Sequence, residues 1–256
     1  MPAIDSLGLR VVVTGATGIA GETIRLLVES DCRVFVLSIE ESQVSDVVDS
    51  YSGTGRVGGR STDLSDEQDA QRGFREAVSV LGGLDAVVAV AGGSGRRLGD
   101  GDIAEMTLAA WNQTLAMNLT TTAMTMRFAL ESMDPPGSII VVSSVLAEYP
   151  EPRRFRTHAY AAAKGAINAL VRSVASAYAD QGIAVNAVAP GLVLTPMSTR
   201  AAEDEDIRTY IAAKQPLTRG FLQPKAVAHA IVSLIGNPAI TGQVLTVDGG
   251  WSVTST

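Results

Sequence analysis

Seven short runs of apolar, largely β-branched residues recur along the chain, and the segments between them carry helical periodicity. The runs are Leu9 to Val13, Val34 to Leu37, a weaker one at Arg56 to Thr62, Leu84 to Val90, Ser138 to Ser143, Ile183 to Ala187 and Gln243 to Val247. Near-continuous apolar character predicts strands covered on both faces. Strands alternating with helices require right-handed crossovers, so the pattern specifies an α/β fold, a Rossmann-like doubly wound parallel sheet with helices on both faces. After the first strand, Ile24, Leu27 and Val28 fall on one face of the first helix. The 256 residues contain no internal repeat, Ser/Gly linker or low-complexity tract, so a single domain is expected over residues 1–256. The least regular stretch, Leu192 to Phe221, follows a Pro-Gly turn and holds the acidic run Glu203 to Asp206. It is the candidate mobile lid.

Composition narrows the partners. With 46% hydrophobic and 18% charged residues the chain lies in the globular range. Twenty Lys plus Arg against 27 Asp plus Glu give a net charge of −7. That charge offers no global attraction to nucleic acid or an anionic membrane, and favours small-molecule partners. The single cysteine, Cys32, has no internal disulfide partner, and with only His158 and His229 beside it no metal site is expected. The N-terminus MPAIDSLGLR lacks a basic region followed by an apolar one, and no later apolar run reaches the roughly 18 to 20 residues of a membrane span. A cytoplasmic protein is the expectation.

Thr14-Gly15-Ala16-Thr17-Gly18-Ile19-Ala20-Gly21 follows the first strand and opens the first helix. There, backbone amides and the helix dipole can hold a pyrophosphate, although a tight turn without a ligand would use similar glycines. Asp63-Leu64 follows the third strand and Ala91-Gly92-Gly93 the fourth, at the end of an open α/β sheet where ligands bind. Taken alone, an Asp after a strand is more often a helix cap than an adenine contact. The second strand ends Ser38-Ile39-Glu40-Glu41, with no arginine directly after it to take a 2′-phosphate. The two glutamates tip the reading toward NAD over NADP if they point inward; the alternative is that both are solvated residues at a helix start.

Tyr160 and Lys164 stand four apart in an alanine-rich helical stretch whose continuation carries Ile167, Leu170, Val171, Val174 and Tyr178 on one stripe. They share a helix face, and a nearby ammonium would stabilise the phenolate of a tyrosine whose unperturbed pKa is near 10. An ordinary surface pair has the same spacing. Ser143 and Ser144 end the buried run Ser138 to Ser143, where Ser144 either donates to a substrate oxygen or caps a turn. Asn118 sits inside a helical pattern that disfavours asparagine, which suggests a helix-bending or water-holding role.

Together these residues resemble the short-chain dehydrogenases/reductases of the compact single-domain type, from about residue 7 to 253. The likeness rests on the Thr14 to Gly21 turn, Asp63-Leu64, Ala91-Gly92, Asn118, Ser144, the Tyr160/Lys164 pair, Pro190-Gly191 with Thr195, and the tail Thr241 to Gly250. It implies hydride transfer between NAD or NADP and a secondary alcohol or ketone. Tyr160 would be general acid/base, Ser144 would polarise the substrate oxygen, Lys164 would also hold the nicotinamide ribose, and Asn118 would position a relay water. The implied cofactor contacts are Gly15, Thr17, Gly18, Ile19, Gly21, Ser38, Ile39, Asp63, Leu64, Val90, Ala91, Gly92, Tyr160, Lys164, Pro190, Gly191, Val193 and Thr195. A homo-oligomer, dimer or tetramer, is implied as well.

Three departures from the family pattern accompany it. Ile19 stands where this type has glycine, so the turn is expected to pivot at Gly18, a spacing closer to two-lobed relatives that include epimerases. Ala89-Val90 replaces an asparagine pair, which removes sheet-bracing hydrogen bonds. The Ser144 to Tyr160 segment is about three residues longer than usual and contains Pro150, Pro152, Arg153, Arg154, Arg156 and His158. These arginines, with Arg96 and Arg97, suggest an anionic substrate, or else solvated side chains pairing with acids such as Glu148 and Glu151. His158 points away from Tyr160 along the helix and is assigned no chemistry. Two rival functions use the same residues: a nicotinamide-binding sensor or scaffold without turnover, and a dehydratase or epimerase with tightly held cofactor.

Overall fold

The computed structural model describes residues 7–255; residues 1–6 of the segment read above for targeting lie outside the described residues. Seven strands form one parallel sheet: β1 (Arg10–Thr14), β2 (Arg33–Ser38), β3 (Val57–Ser61), β4 (Ala86–Ala89), β5 (Gly137–Val142), β6 (Ile183–Pro190) and β7 (Val244–Val247). Their order is β3-β2-β1-β4-β5-β6-β7. All seven apolar runs of the sequence are strands. The order reverses between β1 and β4, and such a switch point leaves a crevice at the carboxyl ends of both strands.

The pleat sends alternate residues to opposite layers. Val11 and Val13 pack with Ile24 and Leu27 of α1 (Ile19–Glu29) and with Val227 and Ile231 of α9 (Pro224–Ile235). Val12 faces the other way, toward Phe74 of α3 (Glu67–Leu81), Phe128 of α5 (Thr121–Ser132), and Ile167 and Val171 of α6 (His158–Tyr178). The remaining helices are α2 (Glu41–Ser50), α4 (Leu108–Leu115), α7 (Thr199–Glu203) and α8 (Glu205–Lys214). Between α4 and α5 the chain makes one π-helical turn, Ala116–Thr120.

The stretch from Leu192 to Phe221 differs from its irregular reading in the sequence, because it contains α7 and α8. Asp204 caps α8, its carboxylate accepting the Ile207 amide at 3.0 Å. Ala201, Ile207 and Ile211 form a small third core with Phe155, Leu192, Tyr210 and Phe221. Helices of five and ten residues are too short to stand on propensity, and this tertiary cluster holds them.

Candidate active site

A long groove runs over the carboxyl ends of β1, β2 and β4. Gly15, Thr17, Gly18, Ile19, Ser38, Ile39, Asp63, Leu64, Val90, Ala91, Gly92, Asn118, Tyr160, Lys164 and Thr195 all line it. Gly15 and Gly18 both have positive φ, 86° and 59°. At Gly18 a β-carbon would lie 2.9 Å from Thr195 Cγ2. The turn therefore pivots at Gly18, and Ile19 becomes the first residue of α1. No side chain caps that helix, whose N-terminus borders the groove at Gly18, Ile19 and Ala20, with the Ala20 amide turned back to the Thr17 carbonyl at 3.1 Å. An uncapped helix N-terminus beside glycines is the arrangement that fits a pyrophosphate. At Gly92 a β-carbon would meet Asn118 Oδ1 at 2.6 Å, so only glycine fits where this groove approaches the Tyr160 helix. These features fit a dinucleotide.

Several sequence readings change here. Gly21 does not reach the groove; it lies inside α1, where a β-carbon would press on the Ala16 carbonyl at 3.2 Å. Pro190, Gly191 and Val193 line a second, adjoining pocket instead. Glu40 and Glu41 start α2, exposed to solvent and off the groove wall. Asp63 does not cap α3, because Asp66 does; it accepts instead from the Ser65 amide and hydroxyl at 2.8 and 2.6 Å. The bracing missing at Ala89-Val90 comes from Thr14, whose hydroxyl accepts the Val90 and Ala91 amides, both at 3.1 Å.

The second pocket adjoins the groove at Tyr160, which lines both. Ser144, at the end of β5, has two roles: it caps a short turn by accepting the Leu146 amide at 3.2 Å, and it hydrogen-bonds Tyr160. Burial pushes the Tyr160 phenol up, and the Ser144 bond opposes the shift. One turn along α6, the Lys164 ammonium lies 5.6 Å from the Tyr160 ring centre and donates to the Val142 carbonyl at 2.8 Å. Burial lowers its pKa to about 8. A phenol, a hydroxyl and an ammonium thus converge where the two cavities join.

Asn118 occupies the π-helical turn and is fully buried. Its side-chain amide donates to the Gly93 carbonyl at 2.9 Å and the Thr114 carbonyl at 3.0 Å, while its Oδ1 accepts the Gly93 amide at 3.1 Å. Its own carbonyl accepts the Thr122 hydroxyl at 2.8 Å. The side chain therefore ties the bent helix to the loop after β4.

Four further residues escaped sequence reasoning. Asp100 accepts the Ala159 and Tyr160 amides at 3.1 and 2.9 Å, fixing the start of α6 from the β4 loop. Buried Asn168 accepts from Ser143 Oγ at 2.6 Å. Gln215, fully buried, accepts the Leu192 amide at 2.6 Å and donates to the Gly220 carbonyl at 2.7 Å, pinning both ends of the α7–α8 segment. Arg200 reaches the second pocket. All four act across long sequence separations, and only the helical register of Asn168 with Lys164 offered a local signal.

The arginine patch divides. Arg154 pairs with Asp206 at 2.8 Å and Glu151 at 3.5 Å and stacks 4.4 Å over Tyr210; Arg156 pairs with Asp102 at 3.3 Å. Arg153 is exposed, and none of the three lines the second pocket. Arg97 is exposed as well, whereas Arg96 does line it. His158 accepts the Ile103 amide at 2.9 Å through Nδ1, a structural contact.

This geometry agrees with the comparisons to known proteins. The family profile described as enoyl-(acyl carrier protein) reductase matches residues 13–252. Cis-4-hydroxycyclohexanecarboxylate dehydrogenase of Sinomonas cyclohexanicum is 36% identical, over 94% of this chain and 95% of that protein. A 2,5-dichloro-2,5-cyclohexadiene-1,4-diol dehydrogenase of Sphingobium indicum is 32% identical, over 97% and 98%. Among solved structures, an actinorhodin polyketide ketoreductase variant with NADPH superposes with a TM-score of 0.85 at 26% identity, covering 98% of this chain and 100% of that one. With its parallel sheet, its glycine turn and its Ser144, Tyr160 and Lys164 cluster, the chain belongs to the short-chain dehydrogenases/reductases, oxidoreductases acting on alcohol and carbonyl groups.

Proposed function

We propose that the chain is an NAD-dependent dehydrogenase of a secondary alcohol carried on a six-membered ring, with the corresponding ketone as product. The observation that carries the chemistry is the convergence of Ser144, Tyr160 and Lys164 where groove and pocket meet. The ring is supported by two relatives named for cyclohexane and cyclohexadiene alcohols, and by pocket walls that include the aromatic rings of Phe155 and Trp251, 6.1 Å apart.

In this reading, the groove residues from Gly15 to Ile19 would hold the pyrophosphate, Asp63 and Leu64 the adenine end, and Lys164, Val193 and Thr195 the nicotinamide end. A nicotinamide held there would supply the two-electron hydride chemistry for the carbinol carbon. As the phenolate, Tyr160 Oη receives the substrate hydroxyl proton in oxidation, and as the phenol it donates that proton in reduction. Ser144 Oγ shares the substrate oxygen and keeps it in line with the phenol. The Lys164 ammonium favours the phenolate once the proton has left. Asn118 holds the loop at Gly93 so that the groove keeps its width beside Lys164. The α7–α8 segment, fastened by Gln215, closes over the ring as a lid.

The charges on the groove wall support NAD over NADP. Among the described residues lining it, the only charged side chains are Asp63 and Lys164; Arg60, opposite Leu37 in the sheet, is paired with Asp69 and Glu76 and does not line the groove to meet a 2′-phosphate. Gln43 takes the place on α2 beside Ser38 and Ile39. Parallel calorimetric titrations with NADH and NADPH test this. NADH is expected to bind the more tightly. Equal or tighter NADPH binding would overturn the cofactor preference, and binding of neither would overturn the function.

The protein is also read as a cytoplasmic homo-oligomer. No helix among the described residues is long and apolar enough to cross a membrane. The sheet ends on β7, where Leu245 and nearby Val253 are exposed, an apolar edge suited to a second copy.

A further inference from the structure

The second pocket is walled mainly by apolar side chains such as Val145, Leu146, Phe155, Leu192 and Trp251, yet two charged residues enter it, and both are cations. Arg96 comes from the turn after β4 and Arg200 from α7, so they approach from separate elements. Arg96 is half-buried and Arg200 lies exposed at the rim. Among the described residues neither is ion-paired, in contrast to Arg154 and Arg156 nearby. Arg96 donates only to the Arg154 carbonyl, at 2.9 Å. The acid closest to hand, Asp100, is committed to the Ala159 and Tyr160 amides.

An unpaired guanidinium in a partly buried apolar wall is unfavourable, and a second one facing the same space makes it more so. Burial and the charge of Arg200 both push the Arg96 guanidinium below its ordinary pKa, with Asp100 opposing. A pocket that collects two like charges and no counter-ion is built for a ligand that brings the opposite charge. Guanidinium forks match a carboxylate in planar, two-point fashion.

We propose that Arg96 and Arg200 bind a carboxylate on the substrate ring, so that the enzyme acts on a hydroxy acid whose hydroxyl is presented to Tyr160 while its anionic end is held at the pocket rim. This deepens the ring-alcohol reading above and rests on it. Arg96 and Arg200 would be specificity residues that touch the substrate away from the reacting carbon.

The test separates anion binding from turnover. Cyclohexanecarboxylate has no hydroxyl to oxidise, and cyclohexanecarboxamide is its uncharged isostere. Each is titrated calorimetrically into the enzyme saturated with NADH, using wild type, Arg96→Gln, Arg200→Gln and Arg200→Lys. Wild type is expected to prefer the carboxylate by about tenfold or more, the gain typical of charge-assisted hydrogen bonds. Each Gln variant is expected to bring the ratio toward one, with Arg200→Lys in between. Equal affinity of wild type for the two probes, or no binding of either, overturns the proposal without any variant having to fold. A preference that survives in both Gln variants overturns the assignment to these residues. Turnover of cyclohexanol by wild type is measured alongside. Its presence with no carboxylate preference sinks the inference and spares the ring-alcohol reading; tight carboxylate binding with no turnover of any ring alcohol does the reverse.

Discussion

In the proposed mechanism, Lys164 serves chemistry at the expense of stability. Its ammonium is buried with one hydrogen bond, to Val142, and its pKa falls from an ordinary value near 10.4 to about 8. Between those values the unfolded chain binds more protons than the folded one, so stability rises with pH across that window. At pH 7 the folded state carries the full penalty, on the order of 3 kcal/mol. Lys164→Met loses the Val142 bond but removes this burden, and a gain of about 1 kcal/mol or more is expected at pH 7, shrinking as pH approaches 10. Urea unfolding at a series of pH values checks it; a less stable variant at pH 7 contradicts the assignment. The Tyr160/Lys164 pair was legible in the sequence because four-residue spacing on a helix is a local rule. Asp100, Asn168 and Arg200 were not, since what brings them to the site is the packing of separate elements.

At the scale of the element, the turn into α1 carries the departure that most affects the nucleotide end. Ile19 cannot take the glycine role, and the positive φ moves to Gly18, as the spacing predicts. Gly18→Val would impose strain at φ 59° and drive a methyl group into Thr195, so the variant is expected to lose about 1 to 3 kcal/mol and to bind NADH at least tenfold more weakly. Thermal unfolding and a titration measure both; unchanged NADH affinity would show that the turn does not face the cofactor. The α7–α8 segment reads as irregular because its helices are short and interrupted at Asp204, features that tertiary packing against Phe155 and Phe221 overrides. The π-helical turn at Asn118 left one trace in the sequence, an asparagine inside a helical pattern, which identified a bend but not the Gly93 loop it clamps.

In the whole molecule, the sheet order places the carboxyl ends of β1, β4, β5 and β6 side by side, and these ends deliver the glycine turn, the Gly92 loop, Ser144 and the Pro190 turn to one surface. The strands and their parallel arrangement were legible because burial on both faces leaves an unbroken apolar signature. The division between the groove and the second pocket was not, since residues close in sequence, such as Gly93 and Ser94 or Val193 and Pro196, line different cavities. The central claim is that Tyr160, where the two cavities meet, moves the proton of a ring alcohol. The most direct test is the initial rate of NAD reduction by cis-4-hydroxycyclohexanecarboxylate and by cyclohexanol, in wild type and in Tyr160→Phe. Turnover of at least one alcohol by wild type, reduced about 10² to 10⁴-fold in the variant, is expected. A Tyr160→Phe enzyme as fast as wild type, or a wild type inert toward both alcohols, would contradict the account.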